Sequence, residues 1–559
     1  MKIVNKLFML MSIVGLAACS DLDYDEHVSA DKNDVFTSFD KTRGFVTDIY
    51  GQLGGFVTFD NGMLASATDE AVFSKPSSRV HDFYNGSWSA IRTMTNWSNY
   101  YKAIRSVNTF LIESKGQTFS QFANNKDYKE QMDRFNNYQW EVRFLRAYFY
   151  FELVKTYGDV PFVGDKVLSA EEANTITRTP AKEIFDYINK ECTEIIPNLP
   201  PTYVGSVYKE IGRVTRAAAM ALKARAALYA ASPLFNKDNN KELWKAAALA
   251  SKELLDFASS NGIKLGAYEK NWGVDNYKNA EVIFARGTGD SNWMEYANFP
   301  VGVEGGGGGN CPSQTLVDAY QMKTTGKYWD EAGSGYDPAS PWVGRDPRFY
   351  LTVAKNGDTK WPTYNTKPLE TFEGGVNGAP LAGATPTGYY LKKWIEVSVD
   401  LRPGKETSKR HSWVIFRLGE FYLNYAEAVY RYLGSPDATS AEFPMSAIAA
   451  VNVIRSRTGV AMPALPAGMD NATFEKSYMN ERFVELAFED HRFYDVRRWK
   501  KGPEFFTKVG VLHLKKDAQG SLVYERGYQS RIWEDKMYFA PIPYAEIVIN
   551  PNLKQNTGW

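Results

Sequence analysis

The sequence has few cysteines, few histidines and no excess of charge of either sign. Its 559 residues include three cysteines, five histidines, and 65 basic against 65 acidic side chains. So few cysteines in a chain of this length exclude a disulfide framework as the main source of stability. The balanced charge, without a stripe of lysine and arginine, excludes a nucleic-acid-binding surface.

Common catalytic motifs are also missing. None of the histidines forms an HExxH pair of the kind that binds zinc. The glycine run Gly305–Gly309 leads into Asn310-Cys311-Pro312 rather than Gly-Lys-Ser/Thr, so it is not a phosphate-binding P-loop. No Gly-x-Ser-x-Gly nucleophile elbow occurs. We therefore predict no catalytic residue, no metal and no cofactor.

One acidic cluster near the C-terminus resembles an acid/base or metal site at first sight. Its members interleave with four arginines at helical spacing, and opposite charges spaced in this way favour ion pairs. We predict an ion-pair network formed by the acids and histidine Glu481, Glu485, Glu489, His491 and Asp495 with the arginines Arg482, Arg492, Arg497 and Arg498.

Long hydrophobic runs are absent except for a short one at the start of the chain. Two lysines precede a 12-residue apolar run at 7–18, which is too short to span a bilayer and is typical of a signal peptide. The run ends in Leu16-Ala17-Ala18-Cys19, which resembles the bacterial lipobox. An ordinary secretory signal or an uncleaved anchor are the alternatives. We expect removal of residues 1–18 and a diacylated Cys19, since two acyl chains give stable membrane attachment.

The residues after Cys19 are acidic, beginning Ser-Asp-Leu-Asp-Tyr-Asp-Glu. We interpret residues 19–34 as a tether. In lipoproteins of the Bacteroidetes, such an acidic stretch resembles the signal for transfer to the outer face of the outer membrane. The expected location is therefore the extracellular face of that membrane, with the lipid anchor as the contact to the bilayer.

The remaining chain is rich in helix formers and in aromatic residues, which make up 14% of the sequence. Alanine-rich stretches such as 213–231 and apolar residues at helical spacing predict two helical blocks, at about 35–258 and 411–500. Between them, about 260–410 is rich in glycine, proline and asparagine, which is typical of functional loops on a scaffold. Antiparallel helix pairs in series predict a mainly α, tetratricopeptide-like solenoid.

Several segments resemble conserved stretches of the SusD/RagB family, in the family's order and beside the lipobox. The tail after residue 501 contributes one of them, so the resemblance covers nearly the whole mature chain as a single domain, 35–559. The segments are NWSNYYKAIRSVNTFL at 96–111, LRAYFYFELVKTYGDVPF at 145–162, FRLGEFYLNYAEAVYR at 416–431, AIAAVNVIRSRTGV at 447–460, ERFVELAFEDHRFYDVRRWK at 481–500 and FAPIPYAEIVINPNLKQNTGW at 539–559.

The resemblance implies a surface lipoprotein that captures nutrients without catalysis. Such proteins sit as a lid on a SusC-like TonB-dependent outer-membrane transporter and deliver an oligosaccharide to it, or a peptide in the RagB branch. The implied fold is a right-handed superhelix of tetratricopeptide-like helix pairs, with a large loop-rich, minor-β region that binds the ligand. A peptide-capturing protein and, less in keeping with the sequence, a surface glycosidase are the alternative functions.

A sugar site needs exposed aromatic faces for the C–H face of a pyranose and planar polar groups for its hydroxyls. The segment 79–97 fits this description, as does the central pair 289–300 and 327–345, which also contains Trp329 and Tyr336. The family's ligand platforms come from these same two regions. We predict the platforms Trp88, Trp293, Tyr296 and Trp342, with Asp69, Arg79 and Asn96 as partners of hydroxyl groups. Any one of these rings could instead fill the core.

Overall fold

The computed structural model describes residues 32–56, 58–94, 96–203 and 212–559. The described chain is mainly helical. We label its α-helices in chain order: α1 Lys32–Phe36, α2 Phe39–Gly51, α3 Asp82–Asn85, α4 Asn96–Glu113, α5 Tyr128–Tyr157, α6 Ala170–Ala173, α7 Ala181–Ile195, α8 Arg216–Ala231, α9 Lys241–Ser260, α10 Trp293–Asn298, α11 Gln314–Ala319, α12 Pro347–Thr352, α13 Leu418–Leu433, α14 Ala447–Ser456, α15 Asn471–Glu485, α16 His491–Arg498, α17 Gly502–Phe506 and α18 Tyr544–Ile549.

The strands are short and form two-stranded antiparallel pairs: β1–β2, β3–β8, β4–β5, β6–β12, β7–β11, β9–β10 and β13–β14. The last pair is a hairpin with nine residues in each strand, which the sequence analysis did not foresee. The strands are β1 Thr58–Phe59, β2 Gly62–Met63, β3 Ala71–Phe73, β4 Val160–Pro161, β5 Arg178–Thr179, β6 Val282–Arg286, β7 Asp290–Ser291, β8 Asn310–Pro312, β9 Val353–Ala354, β10 Tyr390–Leu391, β11 Lys409–Arg410, β12 Trp413–Arg417, β13 Lys508–Lys516 and β14 Leu522–Ser530.

Long helices pack in series along the chain. Helix α4 packs on α5, α5 on α7, α7 on α8, α8 on α9, α9 on α13, and α13 on α14. In α8, the Thr215 side chain accepts a hydrogen bond from the Ala218 amide and caps the N-terminus, and buried alanines allow close approach to neighbours. The predicted mainly α fold of helix pairs is confirmed.

The loop-rich region between α9 and β12 has small cores of its own. One contains Val301, Cys311 and Trp361, and another contains Phe299 and Val399. The principal core includes residues from α1 to the C-terminal tail, so scaffold and tail share it. Local cores of this kind fix the loops in place, which a binding surface requires.

The acidic cluster is buried and ion-paired, but of the predicted pairings only those of Asp495 with Arg482 and Arg498 form. Glu481, Glu485 and Glu489 pair with other cations, and Arg492 pairs with Asp69. Glu485 lies 2.8 Å from Arg348, 2.7 Å from Arg417 and 2.8 Å from Arg457. Most of the partners come from distant segments rather than from the neighbouring turns. We call this set the buried ion network: Arg348, Lys393, Arg417, Arg455 and Arg457 with Glu281, Glu481, Glu485 and Glu489.

The N-terminal segment is only partly described. Helix α1 begins at Lys32, so the last three residues of the predicted tether are helical. The predicted leader 1–18, Cys19 and the rest of the tether lie outside the described residues. Among the helices that are described, none is both long and apolar enough to cross a bilayer. The two described cysteines, Cys192 and Cys311, are buried free thiols.

Candidate functional site: the Tyr296 shelf

A shallow depression of about 570 Å³ lies where the early and central loop segments meet. The early loop follows β3, and the central loop precedes β8, its antiparallel partner. The Ser74 amide extends this ladder by donating to the Gly309 carbonyl over 2.9 Å. We call the depression the Tyr296 shelf. It is lined by Lys75, Pro76, Ser77, Tyr296, Val301, Gly305, Gly306, Gly307, Ala382 and Gly383.

The glycine run forms the rear of the shelf because no side chain fits there. A Cβ at Gly307 would lie 2.5 Å from the Tyr296 carbonyl oxygen. At Gly308, where φ is +88°, it would lie 2.1 Å from the Gly383 carbonyl oxygen. Glycine therefore allows the run to pass between α10 and the loop at Gly383. The run shapes the shelf and presents backbone groups to it.

Tyr296 is the most exposed of the four predicted platforms. Its side chain is 59% exposed, on the short helix α10 at the edge of the shelf. Trp293, one turn earlier, is half-buried, with its ring edge-to-face against Phe56 at a centroid distance of 5.6 Å. The Tyr296 ring is therefore accessible to solvent at the edge of the shelf, whereas the Trp293 ring packs α10 against the core.

Trp342 lies outside the shelf and is half-buried. Its indole Nε1 donates to the Tyr389 hydroxyl over 3.1 Å, and Tyr524 packs edge-on against the ring at 5.3 Å. These contacts connect the central loop to the β13–β14 hairpin. The structure thus does not bring Trp342 together with Tyr296.

Trp88 needs a correction, because it is a core residue. Its side chain is only 4% exposed, and Phe83 and Trp559 contact the ring edge-to-face at 4.8 and 5.0 Å. Arg497 lies over the ring at 5.8 Å. A platform needs a free face, which this packing does not leave. The alternative that a predicted platform fills the core therefore applies to Trp88.

The three predicted hydroxyl partners are also separated. Arg79 is close to the shelf, but its guanidinium donates to the Thr93 carbonyl over 3.0 Å. Asp69 is buried and forms two hydrogen bonds with Arg492, of 2.8 and 2.7 Å. Asn96, at the start of α4, lines a separate polar cavity of about 50 Å³. None of the three lines the Tyr296 shelf.

Sequence analysis missed the shelf's own polar groups, Lys75 and Ser77, and the role of the glycine run. A usable signal was present: five consecutive glycines inside the loop-rich region. Such a run marks a place where the backbone closely approaches another group.

Comparison with known proteins gives family matches over both halves of the chain. The family model described as the SusD family matches residues 280–559, and the one described as starch-binding associating with outer membrane matches residues 21–228. SusD-like protein P25 of Formosa agariphila is 24% identical over 547 residues, which cover 91% of this chain and 88% of that protein.

Solved structures share the fold over nearly the full length. A SusD-like protein from Bacteroides fragilis is 27% identical, with a TM-score of 0.77, covering 96% of this chain and 99% of that one. A protein from the same organism, described as a SusD-like carbohydrate binding protein, is 22% identical, with a TM-score of 0.73 and coverages of 93% and 100%.

Proposed function

We propose that this chain, which belongs to the SusD family, captures oligosaccharide or polysaccharide at the cell surface. In this proposal the Tyr296 shelf holds the glycan without catalysis, and a SusC-like TonB-dependent outer-membrane transporter receives it. Diacylated Cys19 holds the protein on the extracellular face of the outer membrane. The carbohydrate-binding relative of similar fold supports the ligand class.

The observation that carries the proposal is the exposed ring of Tyr296 beside a loop-built depression. An aromatic face in an open depression suits the C–H face of a sugar ring. Lys75, Ser77 and the glycine backbone supply donors and acceptors for hydroxyl groups. The volume of about 570 Å³ lies within the usual range for small-ligand sites.

The acidic cluster supports a binding protein rather than a glycosidase. A glycosidase needs two opposed carboxylates that reach the scissile bond. Glu481, Glu485 and Glu489 are instead buried and paired with arginines or lysine. They are held away from any ligand on the surface.

The test uses the chain from Ser20 onward in calorimetry against starch, xylan, mannan and pectin, with product analysis alongside. Tyr296→Ala should weaken binding of the recognised glycan about tenfold, since it removes one stacking contact. Tyr544→Ala, which truncates another exposed tyrosine (56%), is the matched control and should bind normally. Released sugars would overturn the non-catalytic part. Binding of peptides but of no glycan would establish the RagB-like alternative.

A further inference from the structure

A second depression, of about 590 Å³, lies at the opposite end of the β3–β8 ladder from the Tyr296 shelf. The shelf is built from residues after β3 and before β8, whereas this depression includes Asp69 before β3 and Thr315 after β8. Three paired residues separate these ends, which corresponds to about 10 Å of strand. We call it the Trp329 groove. Its lining includes Asp69, Asp318, Trp329, Lys476, Phe483 and Arg492.

One wall of the groove is a continuous stripe of helix α15. Ala472, Lys476, Met479 and Phe483 follow one another at spacings of three and four residues, so they share a helix face. The helix backbone satisfies its own hydrogen bonds along this wall. Recognition there depends on side chains.

The floor is a stack of planar groups locked in place. The Arg492 guanidinium lies between the rings of Phe483 and Phe505, at 4.2 and 4.3 Å from their centroids. Its Nε and Nη2 donate to the two carboxylate oxygens of Asp69 over 2.8 and 2.7 Å. The base of the groove therefore contains two aromatic rings and one arginine–aspartate pair, and the buried charges of that pair compensate each other.

The opposite wall is built in the same way around Trp329. The Arg526 guanidinium stacks on this half-buried indole at 3.6 Å from the ring centroid. Arg526 also donates to both oxygens of Asp318, over 2.6 and 3.0 Å. An aromatic ring and a carboxylate are therefore held in a fixed relation before any ligand arrives, which reduces the entropy lost on binding.

The lining of the groove contains five acidic and three basic residues, and the paired arginines Arg431 and Arg526, which lie outside the lining, bring the basic total to five. Four of its five acids are paired, which leaves Asp330 opposite in sign to Lys476, and neither has an ion-pair partner within the described ranges. The Tyr328 hydroxyl is buried and has no hydrogen-bond partner among those residues. The acid pairs are Asp69–Arg492, Asp318–Arg526, Glu475–Arg431 and Glu504–Lys501.

We propose that the Trp329 groove is a second binding site, for a neutral oligosaccharide. Aromatic walls interleaved with fixed, paired polar groups suit sugar rings and their hydroxyls, and a balanced charge favours an uncharged ligand. A peptide that binds by strand addition would need an open strand edge, whereas the groove's lining lies on helices, turns and loops. The inference rests on the proposed glycan capture and extends it: two sites let one long glycan bind with avidity.

The test is calorimetry on the chain from Ser20 onward, with neutral tri- and hexasaccharides of the glycan that the protein recognises. We expect two sites per chain for the trisaccharide and one site in Trp329→Ala. Affinity for the long polysaccharide should fall about tenfold in that variant. Tyr544→Ala is the control for truncating an aromatic ring on the surface. Thermal unfolding shows whether Trp329→Ala folds; if it does not, Asp330→Asn with Lys476→Gln replaces it, because both side chains are exposed.

The outcomes separate the two proposals. One site per chain, lost in Tyr296→Ala and unchanged in the groove variants, would overturn the groove site and leave glycan capture standing. No binding of any glycan would overturn glycan capture, and the groove site with it. Binding of peptides that is lost in the groove variants would overturn the assignment of the ligand class.

Discussion

The buried ion network and the Tyr296 shelf contrast in how their geometry is fixed. Arg417 is 2% exposed and contacts three glutamates, Glu281, Glu485 and Glu489, at 2.7–2.9 Å. Tyr296 is 59% exposed, on a six-residue helix. Ion pairs between buried charged groups fix the geometry of the network. The geometry of the shelf is fixed instead by its glycine run, whose backbone packs too closely for any side chain to fit.

We infer from this difference that the network contributes mainly to stability and the shelf mainly to ligand binding. The network connects α12, β12 and α15, which join the loop-rich region to the helical scaffold. Breaking a buried charge pair leaves an uncompensated charge, so changes there should cost stability. The exposed Tyr296 side chain of the shelf has few strong contacts, so truncating it should alter ligand affinity more than folding. The predictions below test that division.

Acid should have the largest effect, through the buried carboxylates. Glu485 belongs to the buried ion network, and Glu427 lies outside it, paired with Arg498 at 2.7 Å. Burial raises the pKa of both glutamates, but neighbouring arginines outweigh it and lower both pKa values to about 2. The ordinary value is 4.5. Their stabilising contribution is therefore complete above pH 4.5 and is lost as pH falls toward 2. A loss of roughly 3 kcal/mol per carboxylate is expected in urea unfolding at decreasing pH.

Two comparisons sharpen this measurement. Glu427→Gln should start from a lower stability at neutral pH and lose less on acidification. Glu70 acts in the opposite sense, since burial raises its pKa to about 8 and its contribution falls as pH rises from 4.5 to 8. The loss of stability caused by Glu427 and Glu485 is therefore measured below pH 4.5, where the contribution of Glu70 no longer changes. A stability that stays constant from pH 4.5 to 2.5 would contradict the prediction.

Removing one guanidinium from the network should have the next largest effect. Arg417→Met removes a guanidinium that contacts Glu281, Glu485 and Glu489, so the remaining cations no longer compensate the buried carboxylates and about 3–5 kcal/mol of unfolding free energy should be lost. The control is Asp186→Asn, which breaks a surface pair with Lys182 in which both side chains are more than 60% exposed. That change should cost less than about 1 kcal/mol. Equal losses of unfolding free energy in the two variants would show that the buried ion pairs contribute no more to stability than an exposed pair.

The network illustrates what the sequence could predict. Interleaved acids and arginines between 481 and 498 were enough to predict ion pairs instead of an active site, and Asp495 does pair with Arg482 and Arg498. The partners of Glu485 were beyond reach, because two of them precede it by 68 and 137 residues. Helical periodicity predicts which residues share one face of a helix. It contains no information on which residues from distant parts of the chain pack against that face.

The site was less predictable for a related reason. Aromatic residues in the two loop segments predicted a binding region, and Tyr296 does lie at an open depression. Exposure within those segments depends on packing that no local pattern encodes, so Trp88 is buried against Phe83 and Trp559. Trp329 lies in the segment 327–345, which the aromatic pattern predicted as a binding loop, yet its groove depends on Asp69 and Arg492, which are far away in sequence.

The smallest expected difference in stability between a variant and its control comes from the shelf itself. In Gly308→Ala the new Cβ would meet the Gly383 carbonyl oxygen at 2.1 Å, in a backbone with φ +88°. Gly404→Ala is a matched control, since φ there is +74° and a Cβ would meet nothing within 4 Å. Both variants bear the strain of a left-handed alanine. Only Gly308→Ala also displaces the loops, so about 1–3 kcal/mol more stability should be lost on thermal unfolding, together with glycan affinity. If the two alanines behaved alike in both measurements, close backbone packing would not be what shapes the shelf.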